Sequence, residues 1–415
     1  MFLYNTNIYK NCDDDYNIPQ YYVKWRNILK IIALFLAIFL LFGSAPAVYA
    51  QTLDEAEEAT EVRFVAPKRS SPKVAVMRYF SALYDSYTAM LPVDITPIID
   101  TDFEMMQNVL NWNTLLQMRR SIISKEGYCY VETERFDYEI EYIKKRDLDD
   151  QRMDYVNLKK YGSNAVVLHF VIKGEEGKVY PPIFAVNSQH TVIITEDNEG
   201  EYKIAYHYFP GSEGKFENDL PVELMEKEEM EALLSAEFEN TESFDVPEAK
   251  FERLYNPEKT VEYALTYCEK QNPDFYFVGD WYGNCMNFTS QSVWTGFREE
   301  GDTPKNTGTM LPNWYCTKGG GTLPWSSVSR FWNWTTGEKC GLQTVAFYNV
   351  NLAKEGDIVN IGSYVCEMEE KYTHALVLVD EEKLLLAQNS PACFVYYSDL
   401  VNNYSRFIRP VSINA

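Results

Sequence analysis

The stretch Gly283-Asn284-Cys285-Met286-Asn287-Phe288-Thr289-Ser290-Gln291-Ser292-Val293-Trp294-Thr295-Gly296-Phe297 decides how the chain is read. Asn is a residue type that caps helix N-termini, and Gly is one that ends helices. The spacing therefore predicts a helix of about ten residues between Asn284 and Gly296. Cys285 then stands at its N-terminus, where unsatisfied backbone N–H groups and the positive dipole end favour a thiolate. A thiolate is the nucleophile of cysteine-dependent acyl transfer. The N–H groups at such a helix start can also hold an oxyanion.

A thiolate nucleophile needs a base. Of the four histidines, only His374 lies in this half of the chain. It opens His374-Ala375-Leu376-Val377-Leu378-Val379, an apolar run that reads as a buried strand. Asp380-Glu381-Glu382-Lys383 turns the chain, and Leu384-Leu385-Leu386-Ala387-Gln388-Asn389 returns beside it. If the hairpin is symmetric about that turn, Val379 faces Leu384 and His374 faces Asn389. Asn389 is then the candidate third member that orients the imidazole, with Gln388 as its rival. A helix bearing Cys followed by a sheet bearing His is the papain-like chain order.

Upstream, Pro257 to Lys270 reads as a helix closed by Asn272-Pro273, and six of the eight Trp follow residue 256. Tyr255-Asn256, Tyr263-Ala264, Asn272-Pro273, and Cys285, Asn287, Phe288, Ser290 and Gln291, with Gly296, Trp314, Ser327, Gly356-Asp357 and His374, resemble the "putative amidase domain" family of exported proteins from spore-forming bacteria. That family is a papain-like relative of the NlpC/P60 and CHAP wall hydrolases. The resemblance covers residues 250–415. It implies a papain-like α+β fold and cleavage of amide bonds in cell-wall peptide or muropeptide, with no cofactor and no metal. Asn284 stands where the family has Asp, and Asn389 where a second His is expected. Asn284, Asn287, Gln291 and Gln388 are supporting residues on this reading.

The other half is organised differently. Val76, Tyr79, Phe80 and Leu83 repeat at helical spacing, and a second helical stretch runs from Phe103 to Ile123. Strand-like segments follow at 128–131, 165–172, 184–186, 191–195 and 202–208, with a turn at 196–200. Helices followed by an antiparallel sheet indicate an α+β domain over residues 73–213, whose element order resembles the NTF2-like cone. His169, His190 and His207 fit no metal-ligand spacing and read as structural. Phe216 to Glu248 holds 12 acidic residues against one Lys. Residues 214–249 are therefore expected to form a solvated, self-repelling connector helix; the Asp spacing of a Ca²⁺ loop is absent.

At the N-terminus, Ile31 to Phe42 is an unbroken apolar run behind Lys24, Arg26 and Lys30, and Val48-Tyr49-Ala50 offers small residues at a cleavage position. Residues 1–50 read as a signal peptide, too short in its apolar run for an ordinary spanning helix, and residues 51–72 as a linker. The expected location is secreted or cell-envelope, with membrane contact only through that segment, which is cleaved near Ala50 or, in the alternative, kept as an uncleaved anchor. Seven of the eight Cys remain after cleavage. An odd number leaves one thiol unpaired, and Cys316, Cys340 and Cys366 sit in loop-like text where bridges are plausible. The net charge of −23 excludes a nucleic-acid binder. The rival to a hydrolase is a catalytically inactive envelope or spore protein that docks a partner.

Overall fold

The computed structural model describes residues 71–144, 158–175, 178–209, 222–241, 243–276, 284–299, 310–337, 341–363, 372–389, 393–401 and 403–414. All of them fall in one compact unit. The signal segment, the linker up to residue 70, Cys340 and Cys366 lie outside the described residues, and the expected linker residues Ser71 and Pro72 instead begin a helix. No described helix is long and apolar enough to cross a membrane.

Helix α1 (Pro72–Ala89) begins with Ser71 accepting the Val74 N–H and ends at Met90 in the left-handed region. Helix α2 (Glu104–Glu126) ends at Gly127, φ 69°, a conformation glycine adopts at little cost. Strands β1 (Tyr138–Ile143), β2 (Val166–Gly174), β3 (Gln189–Glu196) and β4 (Tyr202–Tyr208) form an antiparallel sheet in chain order. Two expected strands are corrected. Residues 128–131 are irregular. Pro182–Phe184 is a 3₁₀ turn followed by Ala185 and Asn187 at positive φ, because Pro181-Pro182 withholds two N–H donors from any ladder.

Helix α3 (Lys227–Phe238) is shorter than the expected connector and only half solvated. Met230, Leu234 and Phe238 are buried at i, i+4, i+8, and Arg119 clamps Glu237 through both guanidinium nitrogens at 3.0 and 3.1 Å. The self-repulsion expected of the acidic segment is met by this inserted stripe and two paired charges, Glu237 with Arg119 and Glu231 with Lys227.

The remaining elements are β5 (Arg253–Leu254), α4 (Pro257–Tyr267), α5 (Asn284–Phe297), β6 (Cys316–Thr317), β7 (Gly320–Gly321), α6 (Leu323–Ser326), α7 (Val328–Thr335), β8 (Leu342–Phe347), β9 (Ile358–Ser363), β10 (Tyr372–Asp380), β11 (Leu385–Ala387), β12 (Phe394–Tyr396) and β13 (Asn403–Ile413). Seven of these strands make one antiparallel sheet, ordered β12-β11-β10-β9-β13-β5 with β8 also on β13. Both faces of this sheet are buried, as the unbroken apolar run of β10 predicts. Ala375, Val377 and Val379 pack with α4 and α5, while Leu376 and Leu378 join a second core. That second core is continuous with Val76, Phe80, Met106, Leu116, Phe170 and Ile193 of the N-terminal elements. The molecule is thus α+β throughout, with its two sheets sharing one hydrophobic cluster.

Candidate active site

Helix α5 is buried on almost every side. The sequence explains why it can be. Its polar side chains are short amides and hydroxyls that find partners across the packing. Ser290 donates to the Trp325 carbonyl at 2.9 Å and accepts from Trp314 Nε1 at 3.2 Å. Trp325 Nε1 donates to Asn287 Oδ1 at 2.7 Å. Asn287 Nδ2 donates to Asn284 Oδ1 at 2.7 Å and to the Tyr276 carbonyl at 2.9 Å. Asn284 Nδ2 donates to Asn389 Oδ1 at 2.6 Å. The chain of amides ends where Asn389 Nδ2 donates to the carbonyls of Tyr267 and Cys268, each at 3.0 Å. Gln291 accepts from the Tyr263 hydroxyl at 2.6 Å, which in turn accepts from Asn272.

Asn284 therefore spends its side chain on this network, inside the first turn of α5, instead of on a helix cap. Gly296 does not end the helix, which runs on to Phe297. A Cβ at Gly296 would come within 2.9 Å of the Asn256 carbonyl and collide with Thr260 and Tyr255. Glycine is there so that α4 can cross α5 closely.

Cys285 sits in the first turn of α5, 7% exposed, in the same buried cluster as Ala375. Its thiol pKa is lowered. Burial alone would raise it, but the charge of His374, the hydrogen bond with that ring, and the N–H groups of Ala375 and Met286 together outweigh burial. The Met286 N–H is one of the unsatisfied donors of the helix start, as the sequence suggested. Ala375 N–H, supplied by strand β10, carries no side-chain signal and had none in the sequence.

His374 Nε2 meets Gln388 Oε1 at 2.6 Å. The structure thus brings together Cys285, His374 and Gln388, while Asn389 is turned to α4 and α5. The reason is register. The sequence pairs Val379 with Leu384, but the observed pairs are Val377 with Ala387 and Leu378 with Leu386, with an irregularity before Asp380. Leu384 takes up the difference at φ 47°. A one-residue slip exchanges the faces of a strand, so Gln388, and not Asn389, shares a sheet face with His374.

A disulfide joins Cys268 at the end of α4 to Cys393 before β12. It brackets the segment carrying Gln388, whose N–H donates to the Cys393 carbonyl at 2.9 Å. Cys129, Cys285 and Cys316 are unbridged, so Cys316 does not form the bridge its loop-like setting suggested. A small crevice lined by Gln271, Asn272, Asn287, Gln291 and Asn389 opens beside the amide chain, and Cys285 and His374 are not in its walls. Residues 277–283, 364–371 and 390–392, which adjoin the site in sequence, lie outside the described residues. No metal-binding group of His, Cys, Asp or Glu occurs among the described residues. His190 and His207 instead bond each other at 3.0 Å in the N-terminal core, with Tyr79 on the far nitrogen of His207 at 3.2 Å.

Residues 254–400 match the sequence model of a family described as "Putative amidase domain". The match covers about a third of the chain and points to hydrolysis of amide bonds. It includes α4, α5 and strands β8 to β12, and stops short of β13, which lies in the middle of the sheet. No curated protein and no solved structure matches the chain.

Proposed function

We propose that this chain is an exported cysteine hydrolase that cleaves amide bonds in cell-wall peptide or muropeptide. The observation that carries the reading is Cys285 itself: a thiol at a helix start, hydrogen-bonded to His374 and acidified by it. Gln388, not Asn389, is the third member. An amide oxygen can only accept, so Nε2 of the neutral ring carries its proton and Nδ1 is the nitrogen that takes the thiol proton.

The chemistry then runs as two acyl transfers. The Cys285 thiolate attacks the amide carbonyl, and the electron pair moves onto oxygen. Backbone N–H groups at the start of α5 receive the oxyanion. The C–N bond breaks as the His374 imidazolium gives its proton to the departing amine. Water enters, gives a proton to His374 and attacks the thioester; the carboxylic acid leaves and the thiol is restored. Export is supported by the apolar run at residues 31–42 with its basic flank and by the Cys268–Cys393 bridge, since disulfides persist in oxidising compartments. The wall substrate is supported by the resemblance to NlpC/P60 and CHAP enzymes. An NTF2-like role for the N-terminal elements in docking a partner is compatible with the same reading.

Purified wall digested with wild type and with Cys285→Ala tests it, with products identified by mass. Wild type releases peptide fragments, and Cys285→Ala slows release by about a thousandfold or more. Fragments released equally by both would overturn the reading. A Cys285 that resists alkylation would favour the inactive docking protein, a reading for which the low exposure of Cys285 is the one supporting observation.

A further inference from the structure

Strand β13 carries a cation that the reaction above does not use. Arg406 pairs with Asn360 on β9, and Asn360 pairs with Ala375 on β10. Residues on one rung share a sheet face, so Arg406 and Asn360 stand on the face of Ala375, which packs in the same buried cluster as Cys285. Two strand spacings separate Arg406 from Ala375, about 10 Å between backbones. A carboxylate one or two residues from a carbonyl seated at Cys285 spans that distance once the arginine side chain is counted.

The setting of Arg406 is built, not incidental. Its guanidinium lies 3.6 Å from the Trp332 ring centre and 3.7 Å from that of Tyr372, two residues before His374. Tyr404 packs edge-on against Tyr372 at 4.9 Å. The residue is 7% exposed. Among the described residues it makes no hydrogen bond and no ion pair, and Nε is sealed and unpartnered. Asn360 is fully buried with both Nδ2 and Oδ1 unpartnered. Among the described residues other inward-lying arginines each hold a carboxylate: Arg119 is paired with Glu237, Arg120 with Asp399 and Arg409 with Asp357. A buried, unpaired cation is costly. Two aromatic faces offset part of that cost and hold the guanidinium plane fixed. A flat, clamped guanidinium with no carboxylate of its own is matched to a carboxylate brought by a ligand. Burial draws its pKa down to about 10, so it stays charged at neutral pH.

We propose that Arg406, clamped by Trp332 and Tyr372 and backed by Asn360, is a carboxylate-binding subsite beside Cys285, and that the substrates of this enzyme carry a free carboxylate within a residue or two of the scissile amide. This rests on the hydrolase reading and narrows its substrate class.

Alkylation of Cys285 by iodoacetate and by iodoacetamide separates the two claims, because both reagents need only the thiolate and they differ only in charge. In wild type the iodoacetate rate saturates with concentration and exceeds the iodoacetamide rate by about 10- to 100-fold, relative to the ratio for a free thiol. Acetate protects Cys285 from iodoacetamide, and acetamide does not. Arg406→Gln returns the ratio to that of a free thiol, and Arg406→Lys restores part of it. On a cleaved wall peptide, converting the carboxylate nearest the scissile bond to an amide lowers kcat/KM of wild type by a similar factor and leaves that of Arg406→Gln little changed. If Arg406→Gln does not fold, protection of wild type by acetate still decides the question. A free-thiol ratio in wild type, no protection by acetate, or a preference that survives in Arg406→Gln would overturn the subsite alone. A Cys285 inert to both reagents would overturn the hydrolase reading and the subsite with it.

Discussion

Gln388 touches the His374 imidazole and not the thiol, yet in the proposed mechanism it selects which nitrogen of His374 acts as base. Its Oε1 at 2.6 Å from Nε2 fixes the ring plane and the tautomer. Gln388→Ala is expected to lower kcat/KM by about 10- to 100-fold with little change in fold, read by steady-state kinetics beside circular dichroism. Gln388→Glu works through charge. A carboxylate beside the imidazolium raises its pKa, so the basic limb of the kcat/KM profile moves to higher pH. Loss of activity begins in wild type as His374 deprotonates, and in Gln388→Glu it begins later. A basic limb that stays in place or moves to lower pH would mean that Gln388 does not touch the working histidine. The sequence singles out Cys285 and His374 through local signals: a capping-type residue before a helix, and a lone His opening an apolar strand. It preferred Asn389 over Gln388 because the choice depends on hairpin register. That register turns on Leu384 adopting φ 47°, a conformation that branched side chains seldom take and that no residue type in the turn announces.

Between elements, the close crossing of α4 over α5 holds Cys285 in place against the sheet. Asn256 caps α4 by accepting the Lys259 N–H, and its own N–H donates to the Gly296 carbonyl at 2.9 Å. A Cβ at Gly296 would meet the Asn256 carbonyl as well as the buried Thr260 and Tyr255 side chains, so backbone as well as side chains would have to shift. Gly296→Ala is expected to destabilise the protein by about 1–3 kcal/mol through overpacking, seen as a lower thermal midpoint. A midpoint equal to or above wild type would show that the helices can part at no cost. Helix propensity alone argues for that opposite outcome, since Ala is the better helix former, so the sign of the change decides between them. Helical spacing of apolar residues marked α1, α2 and α4, cap and stop residues marked α5, and strand-like runs marked β2, β3 and β4. These signals could not tell a glycine that stops a helix from one that lets another helix approach, because that difference exists only once the partner helix is known. Strand β1 went unread, although Tyr138, Ile140 and Tyr142 alternate with Glu139 and Glu141 as a half-buried strand does.

At the scale of the whole molecule, the two sheets are joined by apolar and ionic contacts of unusual depth. The face of the seven-stranded sheet opposite Cys285 presents Val359, Leu376, Leu378 and Phe407, and these belong to the same buried cluster as the helices and strands of residues 72–208. Arg120 of α2 is fully buried against Asp399, and Tyr87 of α1 donates to the same carboxylate at 2.7 Å. Arg119, beside it, holds Glu237 of the acidic segment. The sequence separates a 73–213 half from a 250–415 half by composition, and composition cannot register that the face of one half is covered by the other. Local β-pairing could form in the C-terminal half by itself, but its second core would then be open to water, with Asp399 deprived of its cation. Breaking a buried pair in this way costs about 3–5 kcal/mol. Exposing four large apolar side chains adds roughly 1.5–3 kcal/mol for each. That sum meets or exceeds the stability of an ordinary domain. A chain cut to residues 250–415 is therefore expected to be insoluble or to lack a cooperative melt, even though it contains Cys285, His374 and Gln388. A soluble 250–415 fragment with a sharp thermal transition and alkylatable Cys285 would refute this coupling. The outcome bears on function as well as stability. Asp399 lies three residues beyond β12, and β12 pairs with β11, which delivers Gln388 to His374, so the N-terminal elements fix the far end of the hairpin that carries the contact to His374.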